Sequence, residues 1–286
     1  MGPFLNRRGF LALGMATGLG ACAGRHAAPQ PGLPQPDRNG RNLPLADLHA
    51  HLDNSTIEAA AALARERGVT LGVVEHAGTE ENKYPVVLSS DAELLAYTAM
   101  LDGHGVYKGV QAEWLDWKQC FSRNALATLD YVLTDTMTFP GPDGKRMKMW
   151  EDGADMGAPS TFMDRYVDWH VRIIETMSAD ILANTSWLPP LFAADYDVHW
   201  TRERVRRVAE AARKNGVALE ISSGFKLPRM SFLRVARECG VKFSFGSNGR
   251  YPNMAKLDYS LSMAAELELK GRDIYLPGTA PSRAVS

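Results

Sequence analysis

The sequence holds only three cysteines among 286 residues. That is too few for a disulfide framework. It has no charge excess either: 32 basic residues face 33 acidic ones, for a net charge of −1. A broad electrostatic surface for nucleic acid is therefore excluded, and no nucleic-acid partner is expected. No apolar run is long enough to span a bilayer as a helix. There is no internal repeat of sequence. Apolar residues make up 45% and charged residues 23%, values of an ordinary folded protein, not of a disordered or collagen-like chain.

The amino-terminal segment reads as an address. Arg7 and Arg8 precede Gly9, Phe10 and Leu11, and an uncharged apolar run extends from Gly9 to Ala21. A basic start followed by a short apolar run is the pattern of a signal peptide. The paired arginines resemble a twin-arginine export signal. Leu19-Gly20-Ala21-Cys22 resembles a lipobox, in which Cys22 would be lipidated and hold the protein to a membrane. An ordinary small-residue cleavage site is the alternative. The domain reading is thus a signal at 1–22, a Pro- and Gly-rich flexible linker at 23–42, a folded unit at 43–277 and a tail at 278–286. The expected location is the periplasm or cell envelope.

From Leu43 onward, short apolar runs alternate with amphipathic ones. Strands are expected at Leu45–His49, Thr70–Glu75, Tyr107–Ala112, Tyr131–Thr136, Asp180–Asn184, Ala218–Ser222 and Lys242–Phe245. Helices are expected at Thr56–Arg67, Ala92–Leu101, Arg123–Leu129, Thr161–Met177, Arg202–Lys214, Arg229–Glu238 and Ala255–Leu269. Gly68, Gly216 and Gly240 fall where glycine ends a helix. Strict β-α alternation implies a parallel sheet with helices outside. Seven units in this length fit a distorted TIM-like (β/α)7 barrel.

In such a barrel, chemistry sits at the carboxyl ends of the strands. Asp47, His49 and His51 alternate along the first strand end, so they share a face. Two imidazoles on one face suit a divalent metal such as zinc, manganese or iron. Glu75 and His76 end the second strand, Glu113 the third and Asp135 the fourth. Asn184 follows the fifth strand, Glu220 lies on the sixth, and Asn248 and Arg250 follow the seventh. Trp114, Trp117 and Trp187 form either an aromatic wall for a substrate or packing caps. The loop from Thr138 to Asp155 reads as a lid or as a solvated basic turn. Lys226 and Arg229 are further candidate phosphate contacts. Cys120 and Cys239 are expected as free, buried thiols.

The Asp47–His51 stretch, the Glu75-His76 pair, the Gly109…Glu113 spacing and the seven units together resemble the PHP (polymerase and histidinol phosphatase) family. The resemblance implies a PHP-type barrel that hydrolyses phosphate esters with divalent metals. It implies His49, His51, His76 and Glu113 as metal ligands, with Glu113 bridging. Five positions depart from the family pattern. Glu75 stands for an Asp, Met137 and Asn184 stand where histidines are expected, and Asn248 and Arg250 replace an Asp-x-His turn. One or two metal ions are therefore expected, not three. Glu75, Asp135 and Arg250 are the expected catalytic groups, with Arg250 holding an anion. Trp114, Asn184, Glu220 and Asn248 are the expected substrate contacts. The substrate would be a small phosphorylated molecule. The alternative is a catalytically degenerate barrel that binds a small molecule or a cell-wall component.

Overall fold

The structure, a computed structural model, describes residues 32–141, 143–151, 153–279 and 282–285. The expected signal, with Arg7, Arg8 and the lipidation candidate Cys22, lies outside the described residues. In chain order the strands are β1 (Ala46–Ala50), β2 (Thr70–Ala77), β3 (Val87–Leu88), β4 (Tyr107–Ala112), β5 (Tyr131–Thr134), β6 (Thr138–Pro140), β7 (Arg146–Lys148), β8 (Ile181–Leu182), β9 (Ala218–Ser222) and β10 (Phe243–Gly246). The helices are α1 (Ile57–Glu66), α2 (Asp91–Leu101), α3 (Arg123–Leu126), α4 (Pro159–Thr176), α5 (Pro190–Ala193), α6 (Tyr196–His199), α7 (Arg202–Asn215), α8 (Met230–Glu238) and α9 (Asp258–Glu266).

Seven parallel strands follow the order β1-β2-β4-β5-β8-β9-β10, and β3 pairs with the end of β2. Each strand adds beside its predecessor, as right-handed β-α-β crossovers dictate. The ring closes at its carboxyl end: the His51 N–H donates to Gly249 O at 2.9 Å, and the Gly249 N–H donates to His49 O at 3.2 Å. The expected (β/α)7 barrel is what forms. The α1 helix starts where the Thr56 hydroxyl accepts from Ala59 N. The α7 helix starts at Thr201 in the same way and stops at Gly216, in the left-handed region at φ 68°. The basic face of α7 pairs with Glu238, Asp164, Asp168 and Glu210, which makes it an outer-ring helix.

Two apolar layers hold the fold. One lies between the sheet and the helices. The other fills the barrel with Leu48, Val74, Tyr107, Tyr131, Leu133 and Tyr275, among others. Tyr131 crosses the interior and donates to Leu48 O at 2.9 Å. Gly72 and Gly109 make room for it, since a Cβ on either would sit 2.4 Å from a Tyr131 atom.

Several boundaries differ from expectation. The fourth strand stops at Thr134 because the Asp135 carboxylate turns back to accept Met137 N. The fifth shrinks to Ile181–Leu182. The last helix begins at Asp258, not Ala255, because Ala255 has φ 56° and its N–H is drawn to Asp47. The expected tether gives way to packed chain near residue 33: Leu33 packs on the barrel filling, and Pro34 O accepts from the Tyr107 hydroxyl at 2.7 Å. The expected tail is also packed, with Ala284 fully buried and Arg283 N donating to Asp180.

His170 on α4 is fully buried. Its Nδ1–H donates to Tyr166 O at 2.8 Å, and its Nε2 then accepts from the Thr136 hydroxyl at 3.1 Å. The neutral ring is satisfied, so a second proton on Nε2 would displace the Thr136 hydroxyl's donation and place a charge in a buried site. Burial pushes its pKa from 6.5 down to about 4. A base with a depressed folded pKa contributes stability that is complete above its unfolded pKa and lost as pH falls. Between pH 6.5 and 4 this costs on the order of 3 kcal/mol. Urea unfolding across that window is expected to show a flatter decline for His170→Gln than for the parent. Parallel declines would exclude the assignment.

Candidate functional site

Side chains from all seven barrel strands, or from the loops that follow them, meet at the carboxyl end. Asp47 is the fastener beneath them. Its carboxylate accepts from Ser247 N (2.8 Å), the Ser247 hydroxyl (2.6 Å), Ala255 N (2.7 Å) and His49 N (3.2 Å). Asp47 thus ties the loop after β10 onto β1 and does not itself enter the mouth. Burial raises its pKa against these hydrogen bonds.

An inner network lies above it. His49 Nδ1 faces Glu220 Oε1 at 2.8 Å, and its Nε2 faces Gln111 Oε1 at 3.2 Å. The Gln111 amide donates to Glu113 (3.1 Å) and to Asp135 (3.2 Å). Asn184 donates to Asp135 through its side chain at 3.1 Å and to Glu220 through its backbone at 2.6 Å. Glu113 also faces His76 Nδ1 at 2.8 Å and accepts from the Tyr84 hydroxyl at 3.3 Å. Burial, with Glu113 nearby, pushes Asp135 up to about 6.

A second group lies beside this network and is far less satisfied. Both ring nitrogens of His51 are buried without a hydrogen-bond partner, as are Glu75 Oε2, Asp53 Oδ1 and His76 Nε2. His51, Asp53 and Glu75 each offer a ligand atom, and these lie within 4.8 Å of one another. The other Glu75 oxygen accepts Leu52 N at 2.9 Å, and the other Asp53 oxygen accepts Arg250 Nε at 2.9 Å. Burial raises Glu75 to about 7, with Asp53 adding repulsion. Burial lowers His51 well below the usual imidazole range. Buried polar atoms without partners cost free energy in an empty site. Two carboxylates and an imidazole converging on one point are a donor set that suits a divalent cation. The residues present therefore fit the metal that the sequence suggested.

The predicted site residues gather, with a changed division of labour. The rings of His49, His51 and His76 lie in a row, with centroids 5.3 and 5.0 Å apart. Yet both His49 nitrogens and both Glu113 oxygens are engaged within the protein, whereas those of His51 are free. Asp53 was missed by sequence reasoning. Strand alternation could not have found it, because β1 ends at Ala50 and Asp53 lies in the turn that follows. Glu220 and Asn184 orient His49 and Asp135. Asn248 accepts from Arg250 at 2.9 Å and so holds its guanidinium beside the cluster.

For the other candidates the structure separates the alternatives. Trp117 and Trp187 are buried core, and Trp117 donates to Met177 O at 2.9 Å. Trp114 packs half-buried against Trp169 and under Arg146, at 5.4 Å from each. The three tryptophans thus form no single wall. Arg229 bonds to Ala193 O and faces Asp197 and Tyr196, all on the α5–α6 side. The basic loop from Thr138 is a hairpin of β6 and β7. Its Arg146 grips Asp116 with two 3.0 Å bonds and also reaches Thr79 and Asn82. Lys148 lies 4.5 Å over the Tyr84 ring. The hairpin thereby straps the loop whose Tyr84 stacks on His76 at 3.6 Å. Cys120 and Cys239 are free thiols, each partly exposed.

No family model and no curated protein matches this chain. Solved structures do. One is the hisK protein of Listeria monocytogenes, assigned as a histidinol phosphatase, with TM-score 0.55 and 13% identity over 71% of this chain and 94% of that one. Another is histidinol phosphate phosphatase from Lactococcus lactis subsp. lactis, complexed with zinc, L-histidinol and phosphate. It gives TM-score 0.51 and 14% identity over 82% of this chain and 97% of that one. What this chain shares with these phosphatases is the fold, an α/β barrel of seven parallel strands.

Proposed function

We propose that this protein is a metal-dependent phosphoesterase of PHP type acting on a small phosphate ester. The observation that carries the reading is the set of buried ligand atoms on His51, Asp53 and Glu75 that make no hydrogen bond, His51 Nδ1 and Glu75 Oε2 lying 3.8 Å apart. The zinc and phosphate of the Lactococcus protein support it. His51, Asp53 and Glu75 would hold the ion, with His76 Nε2 beside them. A bound divalent ion polarises a phosphoryl oxygen and acidifies water. Arg250 spends Nε on Asp53 and Nη1 on Asn248. Its Nη2 has no partner among the described residues and is the donor we assign to a phosphoryl oxygen. Asp135 and Glu113, fixed by Gln111, Asn184 and His76, orient the substrate side of the mouth. Export by the twin-arginine route and anchoring through Cys22 belong to the same proposal and place the enzyme in the cell envelope.

Elemental analysis of the chain purified without chelator or polyhistidine tag tests this reading. At least one equivalent of zinc, manganese or iron is expected, with hydrolysis in a phosphate-ester screen. Less than about a tenth of an equivalent, with none taken up on soaking, would leave a ligand-binding barrel as the better account.

A further inference from the structure

The end of the barrel away from the mouth carries a cleft of about 780 Å³. It opens between the last turns of α7 and α8, the start of β10 and the segment after α9. Six cations line it: Arg213, Arg237, Lys242, Lys270, Arg272 and Arg283. The acids lining it are three, Asp180, Glu268 and Asp273. The excess of three positive charges sits on a chain whose net charge is −1.

Two of the acids are already engaged. Asp180 accepts from Val132 N, Arg283 N and the Ser282 hydroxyl. Asp273 accepts from Lys270 N at 2.8 Å. Arg213, Arg237 and Lys242 make no side-chain hydrogen bond or ion pair among the described residues. Basic residues in a last helical turn complement the helix dipole, which accounts for Arg213 and Arg237. It does not account for Lys242, Lys270, Arg272 and Arg283, which come from three segments and converge on the same concavity, although Arg283 also donates to Ile174 O and Ala179 O and Arg272 lies 4.0 Å from Asp273. Unpaired like charges around a cleft repel one another, and an anion relieves that repulsion.

The chain also enters at this end. Leu33 packs against the barrel-filling cluster that includes Tyr107 and Tyr275, and Tyr275 lines the cleft.

We propose that the cleft binds a phosphate-bearing anion about the size of a lipid headgroup. Guanidinium and ammonium donors from several directions are the groups that recognise phosphate. The phosphate has two possible sources, an anionic phospholipid or a soluble phosphate ester. The test uses the full chain with His51→Ala, so that the mouth does not compete. One arm measures flotation with vesicles of phosphatidylglycerol in phosphatidylcholine against phosphatidylcholine alone. The other titrates glycerol phosphate. Both are repeated with Arg213→Ser, Arg237→Ser and Lys242→Ser added, all three being exposed positions whose loss should lower the thermal midpoint only by the helix-dipole contribution of the two arginines.

Binding to the anionic vesicles that becomes about a hundredfold weaker in the triple variant would establish the headgroup. A loss confined to glycerol phosphate would establish the soluble ester. Equal binding by parent and triple variant in both arms, or no binding by the parent in either, would overturn the proposal.

Discussion

His51→Ala is expected to empty the metal site and lower phosphate-ester hydrolysis by about a thousandfold. Losing the ion forfeits several kcal/mol of transition-state charge stabilisation. The expected stability pattern is what makes the experiment specific. Neither His51 nitrogen makes a hydrogen bond, and its nearest acid, Glu75, stands 3.8 Å away, so its removal breaks no hydrogen bond. In chelator, the variant should unfold within about 1 kcal/mol of the parent, because relief of an unsatisfied polar ring offsets the small cavity. In added zinc the parent should gain stability and the variant should not. His49→Ala should behave differently. It strips Glu220 and Gln111 of their buried partner and should destabilise the protein with or without metal. A His51→Ala protein that kept its metal and its activity would rule out His51 as a ligand.

Asp47→Ala is expected to be the most destabilising single change at the mouth. Four donors would lose one shared acceptor: Ser247 N, the Ser247 hydroxyl, Ala255 N and His49 N. Buried groups left unpaired cost about 1–3 kcal/mol each. Even with partial rearrangement, a loss of about 4 kcal/mol is expected from the urea midpoint. Asp47→Asn should lie between, because an amide keeps one accepting oxygen but turns an N–H₂ toward other donors. The loop released is the one that carries Gly249 to β1 and Arg250 to Asp53. Barrel closure and the anion-holding arginine should therefore loosen together. A midpoint for Asp47→Ala close to the parent's would mean that the loop is held by something else.

Much of the architecture is local and therefore legible in the sequence. The third and sixth expected strands have the observed bounds, as β4 and β9. Gly68, Gly216 and Gly240 all adopt positive φ at helix ends. Alternation of β and α units, with a glycine before the next strand, needs only neighbours in the chain to be recognised. The residues that reach the mouth were legible for the same reason, since a strand end points where its parity sends it.

What each mouth residue does was decided by partners far away in sequence. His49 is fully engaged because Glu220, 171 residues away, faces it. Asp47 is a fastener because Ser247, 200 residues away, donates to it twice. Asp53 joins the candidate metal cluster because the turn after β1 carries it toward Glu75 on the neighbouring strand. Periodicity and spacing carry no information about such pairings, because a hydrogen bond depends on positions that exist only once the ring has closed. By itself the sequence determined an alternating seven-unit barrel with histidines and acids at its mouth. Only the tertiary structure decided which of them spend their polar atoms on one another and which keep them free for a metal.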